Sequence, residues 1–401
     1  MTIVCNLHNG LFQELVSTST LFNDGDWVES KDQDQDGSVR LIQLADIGDG
    51  KFLNKSKRFM NIETAKKLNC TFLKKNDILI ARMPDPLGRC CLFPFDENEK
   101  YVTVVDIAIL RIKSDYSNSY IQYIINTSQV RHAIEGQITG TTRKRITRKK
   151  LENLKIPLPP LPEQQKIAAI LDAADQLRQK DQQLIEKYTA LSQSLFLDMF
   201  GDPMTNPMNW EKPKMGSLMK IERGGSPRPI DKFLGGTYPW IKIGDATKGN
   251  EIYIESTKEH IIEEGLRKTR LLPSGSIIFA NCGVSLGFAR ILAFDGCIHD
   301  GWLAFSDIDD KVLNKLFILK TLNSITRYFR ETAPDGTQPN LNTSIMKSFK
   351  FILPPITLQN QFAERIQAIE AQKQQAQASL QKSDDLFNSL LQRAFKGELT
   401  D

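Results

Sequence analysis

Two stretches of this 401-residue chain say nearly the same thing, and a chain that repeats itself is built from repeated folding units. Leu41-Ile42-Gln43-Leu44-Ala45-Asp46 has a counterpart 199 positions on, in Trp240-Ile241-Lys242-Ile243-Gly244-Asp245. The run from Leu73 to Arg82 pairs at the same offset with Leu272 to Asn281, and Gly88 with Gly287. Each run reads as a turn followed by a short β-rich strand. Further on, Lys155-Ile156-Pro157-Leu158-Pro159-Pro160 pairs with Lys350-Phe351-Ile352-Leu353-Pro354-Pro355 at an offset of 195. The small drift in offset is what short loop deletions produce.

A long helical pattern follows each Pro-Pro pair, and proline ahead of a helix is where it is tolerated. In the first, Ile167, Ile170, Ala174, Leu177, Asp181, Leu184, Tyr188, Leu191 and Leu195 recur with alternating steps of three and four. In the second, Phe362, Ile366, Ile369, Lys373, Ala376, Leu380, Ser383, Phe387, Leu390 and Ala394 do the same. Heptads sustained over this length, with Gln, Lys, Glu and Asp between, predict coiled-coil helices that pack against each other. The polar entries Asp181, Lys373 and Ser383 would fix register or partner choice. The layout is therefore globular, helix, globular, helix, with pseudo-twofold symmetry. The expected boundaries are 1–158, 159–203, 204–353 and 354–401, with a turn-rich linker at Gly201–Pro207.

Several function classes drop out on composition and motif. The six cysteines form no Cys-x-x-Cys pair and the four histidines are scattered, so neither a metal site nor a cofactor is expected. No apolar run approaches the ~18 residues that span a bilayer, and the first residues do not read as a secretory signal, which points to the cytoplasm. There is no Gly-x-Gly-x-x-Gly, no Gly-Lys-Ser/Thr phosphate loop and no Asn/Asp-Pro-Pro-Tyr/Phe base-flipping motif. Pro84-Asp85 lacks the Asp/Glu-x-Lys partner of a nuclease site. No catalytic residue is expected. Net charge is only +4, but it is unevenly spread: Arg143-Lys144-Arg145-Ile146-Thr147-Arg148-Lys149-Lys150 is the densest cationic run, and Asp24 to Asp36 is acidic.

Leu158-Pro159-Pro160-Leu161-Pro162-Glu163-Gln164-Gln165-Lys166-Ile167 resembles the central conserved region of type I restriction-modification specificity subunits, and Phe200-Gly201-Asp202-Pro203 resembles its end. Leu353-Pro354-Pro355-Ile356 with Gln359, Gln361 and Phe362, closing on Ala394 to Leu399, resembles the distal conserved region. Gly140–Ile146 and Gly336–Leu341 resemble the segments that end a target recognition domain. The resemblance covers nearly the whole chain, twice over. It implies two duplicated α/β target recognition domains, each reading half of a split DNA sequence, and two long helices pairing as an antiparallel coiled coil. It also implies double-stranded DNA, two adenine methyltransferase subunits and ATP-dependent restriction subunits as partners, with no membrane. One departure is expected: the first domain lacks a clear counterpart of Lys220-Ile221-Glu222-Arg223-Gly224-Gly225. Rival readings are a protein-binding adaptor and the recognition half of a fused enzyme.

Phosphate contacts need Lys and Arg, while base edges favour Arg, Asn and Gln. Arg143, Lys144, Arg145 and Arg148, with Lys149 and Lys150, are the phosphate candidates. Arg82 and Arg89 flank the loop after the repeated strand and are base-edge candidates, with Asn281 and Arg290 as their equivalents in the second domain. Arg223, Arg228, Gln338 and Asn340 lie in Gly/Pro-rich loops that could present them to a groove. Trp240 aligns with Leu41 and is expected in the core. Gln164 to Phe200 would form a rod of roughly 55 Å at ~1.5 Å per residue. Two domains on such a rod would read half-sites about one DNA turn apart, leaving a gap of about 5–8 base pairs.

Overall fold

The computed structural model describes residues 9–83, 86–138, 144–247, 251–283, 285–332 and 340–399. It divides into two compact units, residues 1–182 with 378–401, and residues 183–377. Each contains one globular α/β part, a stretch of the first long helix, Leu161–Phe200, and a stretch of the second, Ile356–Phe395. No helix among the described residues is long and apolar enough to cross a membrane.

The first unit is built on an antiparallel sheet ordered Leu21–Asp24, Ile107–Arg111, Ile78–Ala81, Cys90–Leu92. A smaller sheet places Val39–Ile42 between Arg58–Met60, antiparallel, and Tyr101–Thr103, parallel. The second unit repeats both. Its larger sheet runs Lys220–Arg223, Trp302–Ser306, Ile277–Ala280, Ala289–Leu292, with Tyr253–Ile254 added at the edge. Its smaller sheet places Leu234–Ile241 between Glu259–Ile261 and Gly296–Cys297-Ile298.

The repeated sequence explains the repeated strands. Ile78–Ala81 and Ile277–Ala280 are buried at every position, as unbroken apolar runs at the centre of a sheet require. The turn before each needs a left-handed residue, supplied by Asn76 at φ +69° and by Gly275 at φ +80°. The amide of Asn76 donates to the Phe93 carbonyl and that of Gly275 to the Leu292 carbonyl. The loops after the strands close alike, Gly88 N–H on the Ala81 carbonyl and Gly287 N–H on the Ala280 carbonyl, each at 2.9 Å. Trp240 is buried, as expected from its alignment with Leu41.

The supposed missing segment of the first domain exists. Leu21-Phe22-Asn23-Asp24 pairs with Arg111 to Ala108 just as Lys220-Ile221-Glu222-Arg223 pairs with Ser306 to Leu303. Gly25 then donates to the Ile107 carbonyl and Gly224 to the Trp302 carbonyl. The two strands share an offset of 199 but almost no side-chain chemistry, which is why the match was invisible in sequence.

The second long helix buries the stripe expected of it, from Phe362 and Ile366 through Lys373, Ala376 and Ser383 to Phe387 and Ala394. The first does not. Its inward stripe runs Ile167, Leu171, Ala174, then Arg178, Ile185 and Ser192, to Phe196 and Phe200. Leu177, Leu184 and Leu191, expected in the seam, are 48%, 42% and 49% exposed. From Ile167 to Ser192 the corrected stripe is the one the second helix projects onto the first at offset 195; beyond it the buried positions shift by one, to Phe196 and Phe200.

Within the first unit the helices run antiparallel. Arg178 Nε pairs with Asp384 at 2.6 Å, and Asp181 accepts from Ser383 at 2.7 Å and from Ser379 at 3.1 Å. Two of the polar seam entries, Asp181 and Ser383, thus partner each other, while Lys373 pairs with Glu251 at 3.0 Å. In the second unit Phe196, Phe200, Phe317 and Phe362 form an aromatic cluster between the two helices, with Phe196 and Phe317 near-parallel and Phe362 edge-on to both Phe196 and Phe200.

Both Pro-Pro motifs are clamped to the fold by a buried glutamine. Gln164 accepts from the Ser117 amide at 3.0 Å and donates to the Pro159 carbonyl at 2.7 Å. Gln359 accepts from Asn314 at 2.9 Å and donates to Pro354 at 2.7 Å and Val312 at 3.1 Å. These bonds tie the start of each long helix to the N-cap of the domain helix beside it, Asn118–Ile125 or Lys315–Ser324.

Candidate nucleic-acid interface

In the first unit the basic segment is anchored where the central strand ends. The amide of Ile146, itself fully buried, donates to the Arg82 carbonyl at 3.1 Å. This fixes Lys144 and Arg145 on the surface on one side and the short helix Arg148–Glu152 on the other. Arg145 pairs with Asp106 at 3.5 Å and keeps 42% of its side chain exposed. Arg148 lies 3.2 Å from Asp24, donates to the Phe22 carbonyl and covers the Phe22 ring. Lys149 is exposed nearby. Arg143 lies outside the described residues.

Arg82 is placed differently from expectation. It is 2% exposed, pairs with Asp24 at 3.2 Å and donates to the Val105 carbonyl. Burial lowers its pKa, and Arg145 and Arg148 push the same way, against Asp24 and Asp106. A guanidinium so committed stiffens the edge and does not present donors to a base. Arg89 is also engaged, donating to the Ile47 carbonyl at 2.7 Å and the Leu44 carbonyl at 3.1 Å.

The strand register corrects the equivalences between domains. Ile80 faces Cys90 where Phe279 faces Ala289, so Arg290 corresponds to Cys91, and Arg89 to Phe288. Arg290 is 8% exposed and donates to the Ala289 carbonyl. Asn281 does correspond to Arg82: its carbonyl accepts from Leu341 at 2.9 Å, as that of Arg82 accepts from Ile146. It is fully buried and donates to Asn340 Oδ1 at 3.2 Å. Asn340 is half-buried, and Gln338 lies outside the described residues.

Arg223 and Arg228 are exposed and converge with two residues that sequence reasoning missed, Lys242 and His299. Arg223 Nε donates to the Asp300 carbonyl at 2.7 Å. Asp300 accepts from Ser226 at 2.7 Å and lies 3.0 Å from His299 Nδ1. Burial lowers the His299 pKa and Arg228, Lys242 and Arg223 lower it further, outweighing Asp300. Burial acts to raise the Asp300 pKa, but Ser226, His299, Arg223 and Arg228 bring it below its ordinary value. The imidazole is therefore neutral near pH 7 within a cationic surround. Because Nδ1 accepts from the Gly301 amide at 2.9 Å, the proton is assigned to Nε2. The signal in sequence was a contrast between copies: His299-Asp300 stands where the first domain has Val104-Val105.

The same edge of two matching scaffolds thus carries different polar groups, Asp24 against Arg223 and Arg82 against Asn281. Both edges can offer cationic side chains to phosphate and a few donors and acceptors to base edges. Among the described residues no group of three or more His, Cys, Asp or Glu is arranged to hold a metal.

Comparison with known proteins agrees with this architecture. The model of the type I restriction modification DNA specificity domain matches residues 19–187 and again 207–382. The Type I restriction enzyme MjaIX specificity subunit of Methanocaldococcus jannaschii is 24% identical over 390 residues, covering 90% of this chain and 87% of that protein. The S subunit of a type I restriction-modification system from M. genitalium superposes with a TM-score of 0.57 at 16% identity, covering 98% of both chains. A chain from a structure describing assembly and conformational transition of the type I R-M system gives 0.58 at 15% identity, covering 97% of both. At such identities the structural likeness speaks to fold.

Proposed function

The chain belongs to the type I restriction-modification DNA specificity family, and from that premise we propose that it reads a bipartite DNA sequence on behalf of a type I restriction-modification complex. Each globular part reads one half-site, and the long helices set the interval between the readers. The observation that carries this reading is the duplicated edge with altered polar groups. A pair of scaffolds that match in register but differ at Asp24 against Arg223, and at Val104-Val105 against His299-Asp300, is suited to two unlike half-sites. Lys144, Arg145, Arg148, Arg223, Arg228 and Lys242 supply backbone contacts, and Asn340 and His299 reach base edges.

Two methyltransferase subunits dock along the outer faces of the long helices, and restriction subunits join that assembly. The exposed, heptad-spaced Leu177, Leu184 and Leu191 support such a face, since a water-exposed leucine row gains from being covered. The chain itself contributes recognition and no catalytic residue.

The test is electrostatic. Arg143, Lys144 and Arg145 changed together to Ala should weaken binding of the methyltransferase-loaded complex to every duplex. The slope of log K against log salt should flatten by about 0.9 per lost phosphate contact. The methylated motif should stay the same. A triple variant that methylates a new sequence would show these residues reading bases instead, and an unchanged salt slope would remove them from the interface.

A further inference from the structure

The second unit contains a cavity of about 580 Å³ between the C-terminal half of the first long helix, the helix Lys315–Ser324 and the strand Ala289–Leu292. Ser192 and Phe196 line it from the long helix, Phe288 and Arg290 from the sheet, with Lys320 and Glu251. The duplication provides an internal control on why this space is empty of side chains. At the matching place in the first unit stand Phe387 and Tyr123, with rings 6.0 Å apart and the Arg178 guanidinium 4.5 Å from the Phe387 ring. Phe387 corresponds to Ser192 at offset 195. Tyr123 corresponds to Lys320, because Asn126 and Asn323 hold the amides of Cys90 and Ala289 in the same way. Two aromatic side chains that fill one unit are thus replaced in the other by a hydroxyl and an ammonium.

The polar groups left there do not satisfy one another. Lys320 pairs with Glu370 at 2.7 Å, and Glu251 pairs with Lys373 at 3.0 Å. That leaves Arg290, more than nine-tenths buried, as the cation of this cavity with no close ion pair, the Glu251 carboxylate acting on it only from a distance. It uses Nη1 on the Ala289 carbonyl at 2.8 Å, while its Nε is buried with no hydrogen-bond partner. The Ser192 hydroxyl is in the same state. A buried unpaired cation and an orphaned hydroxyl are costly unless something supplies the missing acceptors. The remaining walls, Phe196 and Phe288, are apolar and aromatic.

We propose that this cavity is a binding site for a small organic anion, an aromatic or aliphatic body carrying a carboxylate or phosphate. The anionic head lies on the side-on edge of Arg290 with Ser192 and Lys320, where guanidinium geometry suits two acceptor oxygens. The body lies between Phe196 and Phe288. The volume falls in the range of small-molecule sites. The first unit, plugged by Phe387, takes no such ligand.

Ligand-observed NMR on the full chain, with benzoate and phenyl phosphate as probes and benzyl alcohol as the neutral control, tests this directly. Both anions, or one of them, should bind with the neutral control at least tenfold weaker, and which anion binds identifies the head group. Arg290→Met should weaken binding about ten- to a hundredfold, the range of a charge-assisted hydrogen bond. Ser192→Phe installs the plug of the first unit and should abolish binding while the chain keeps its melting temperature or gains a little. Equal binding of the neutral probe, or anion binding that survives Ser192→Phe in a folded chain, would overturn the proposal. Failure of both anions to bind the wild-type chain would do the same.

Discussion

Replacing Gln164 by Ala isolates the bonds that fasten the first long helix to its domain. The side chain is 1% exposed, and its loss strands the Ser117 amide and the Pro159 carbonyl. An orphaned buried partner costs about 1–3 kcal/mol. Ser117 is only half-buried and can recruit water, so about 2 kcal/mol is the reasoned loss for the first unit. Gln359→Ala strands three partners, Asn314, Pro354 and Val312, and should cost about 3 kcal/mol in the second unit. Native-state hydrogen exchange separates the two sites. Amides in the first turn of the helix Asn118–Ile125 should exchange roughly thirtyfold faster in Gln164→Ala, while those of Lys315–Ser324 stay unchanged. The converse should hold for Gln359→Ala. Gln164→Glu keeps an acceptor for Ser117 but loses the donor to Pro159, so at neutral pH it should behave like Ala. A loss below about 0.5 kcal/mol in both Ala variants would refute the clamp.

Leu184→Gln with Leu191→Gln removes exposed apolar area and should leave folding within about 0.5 kcal/mol of wild type, while native mass measurement of the co-expressed complex falls below two methyltransferase copies. A complex still holding two copies would place docking on another face. Asp26 is held by burial at a pKa of about 6, against the hydrogen bonds it accepts from the Thr71 amide and the Cys70 thiol. Its folded pKa is raised, so its contribution to stability is full below the unfolded value of 3.8, is lost as pH rises to about 6, and is flat above that. Asp26→Asn should therefore be about 1–2 kcal/mol more stable than wild type at pH 7.5 and should lose this dependence. Equal or lower stability of Asp26→Asn in urea unfolding at pH 7.5 would contradict the desolvation argument.

Internal repetition made the architecture legible, because a turn, strand and Pro-Pro motif recurring at nearly fixed offset pins elements without any long-range contact being known. What stayed hidden was decided by contacts far apart in sequence. The first long helix has apolar or long side chains at neighbouring positions, Ile170 beside Leu171 and Leu184 beside Ile185, so a strict heptad through the leucines looked as good as the stripe actually buried. The second helix has such neighbours only near its end, Leu386 beside Phe387 and Leu390 beside Leu391, and its pattern carried across at offset 195 selects the right face as far as Ser192. Arg82 looked like a loop arginine free to read bases; Asp24, which pairs with it, comes from another strand, and Val105, which accepts from it, from the turn before the strand Ile107–Arg111. Lys242 and His299 escaped notice because each is unremarkable in its own neighbourhood and gains meaning only beside Arg223 and Arg228.

The most direct measurement of the central claim is the set of adenines methylated by a complex of this chain with its methyltransferase, mapped by long-read sequencing. Two readers on matching scaffolds with unlike edges predict one split motif, two different half-sites separated by a non-specific gap of about 5–8 base pairs. A continuous motif, a perfect palindrome, or a pattern unchanged when this chain is exchanged for another would contradict the account.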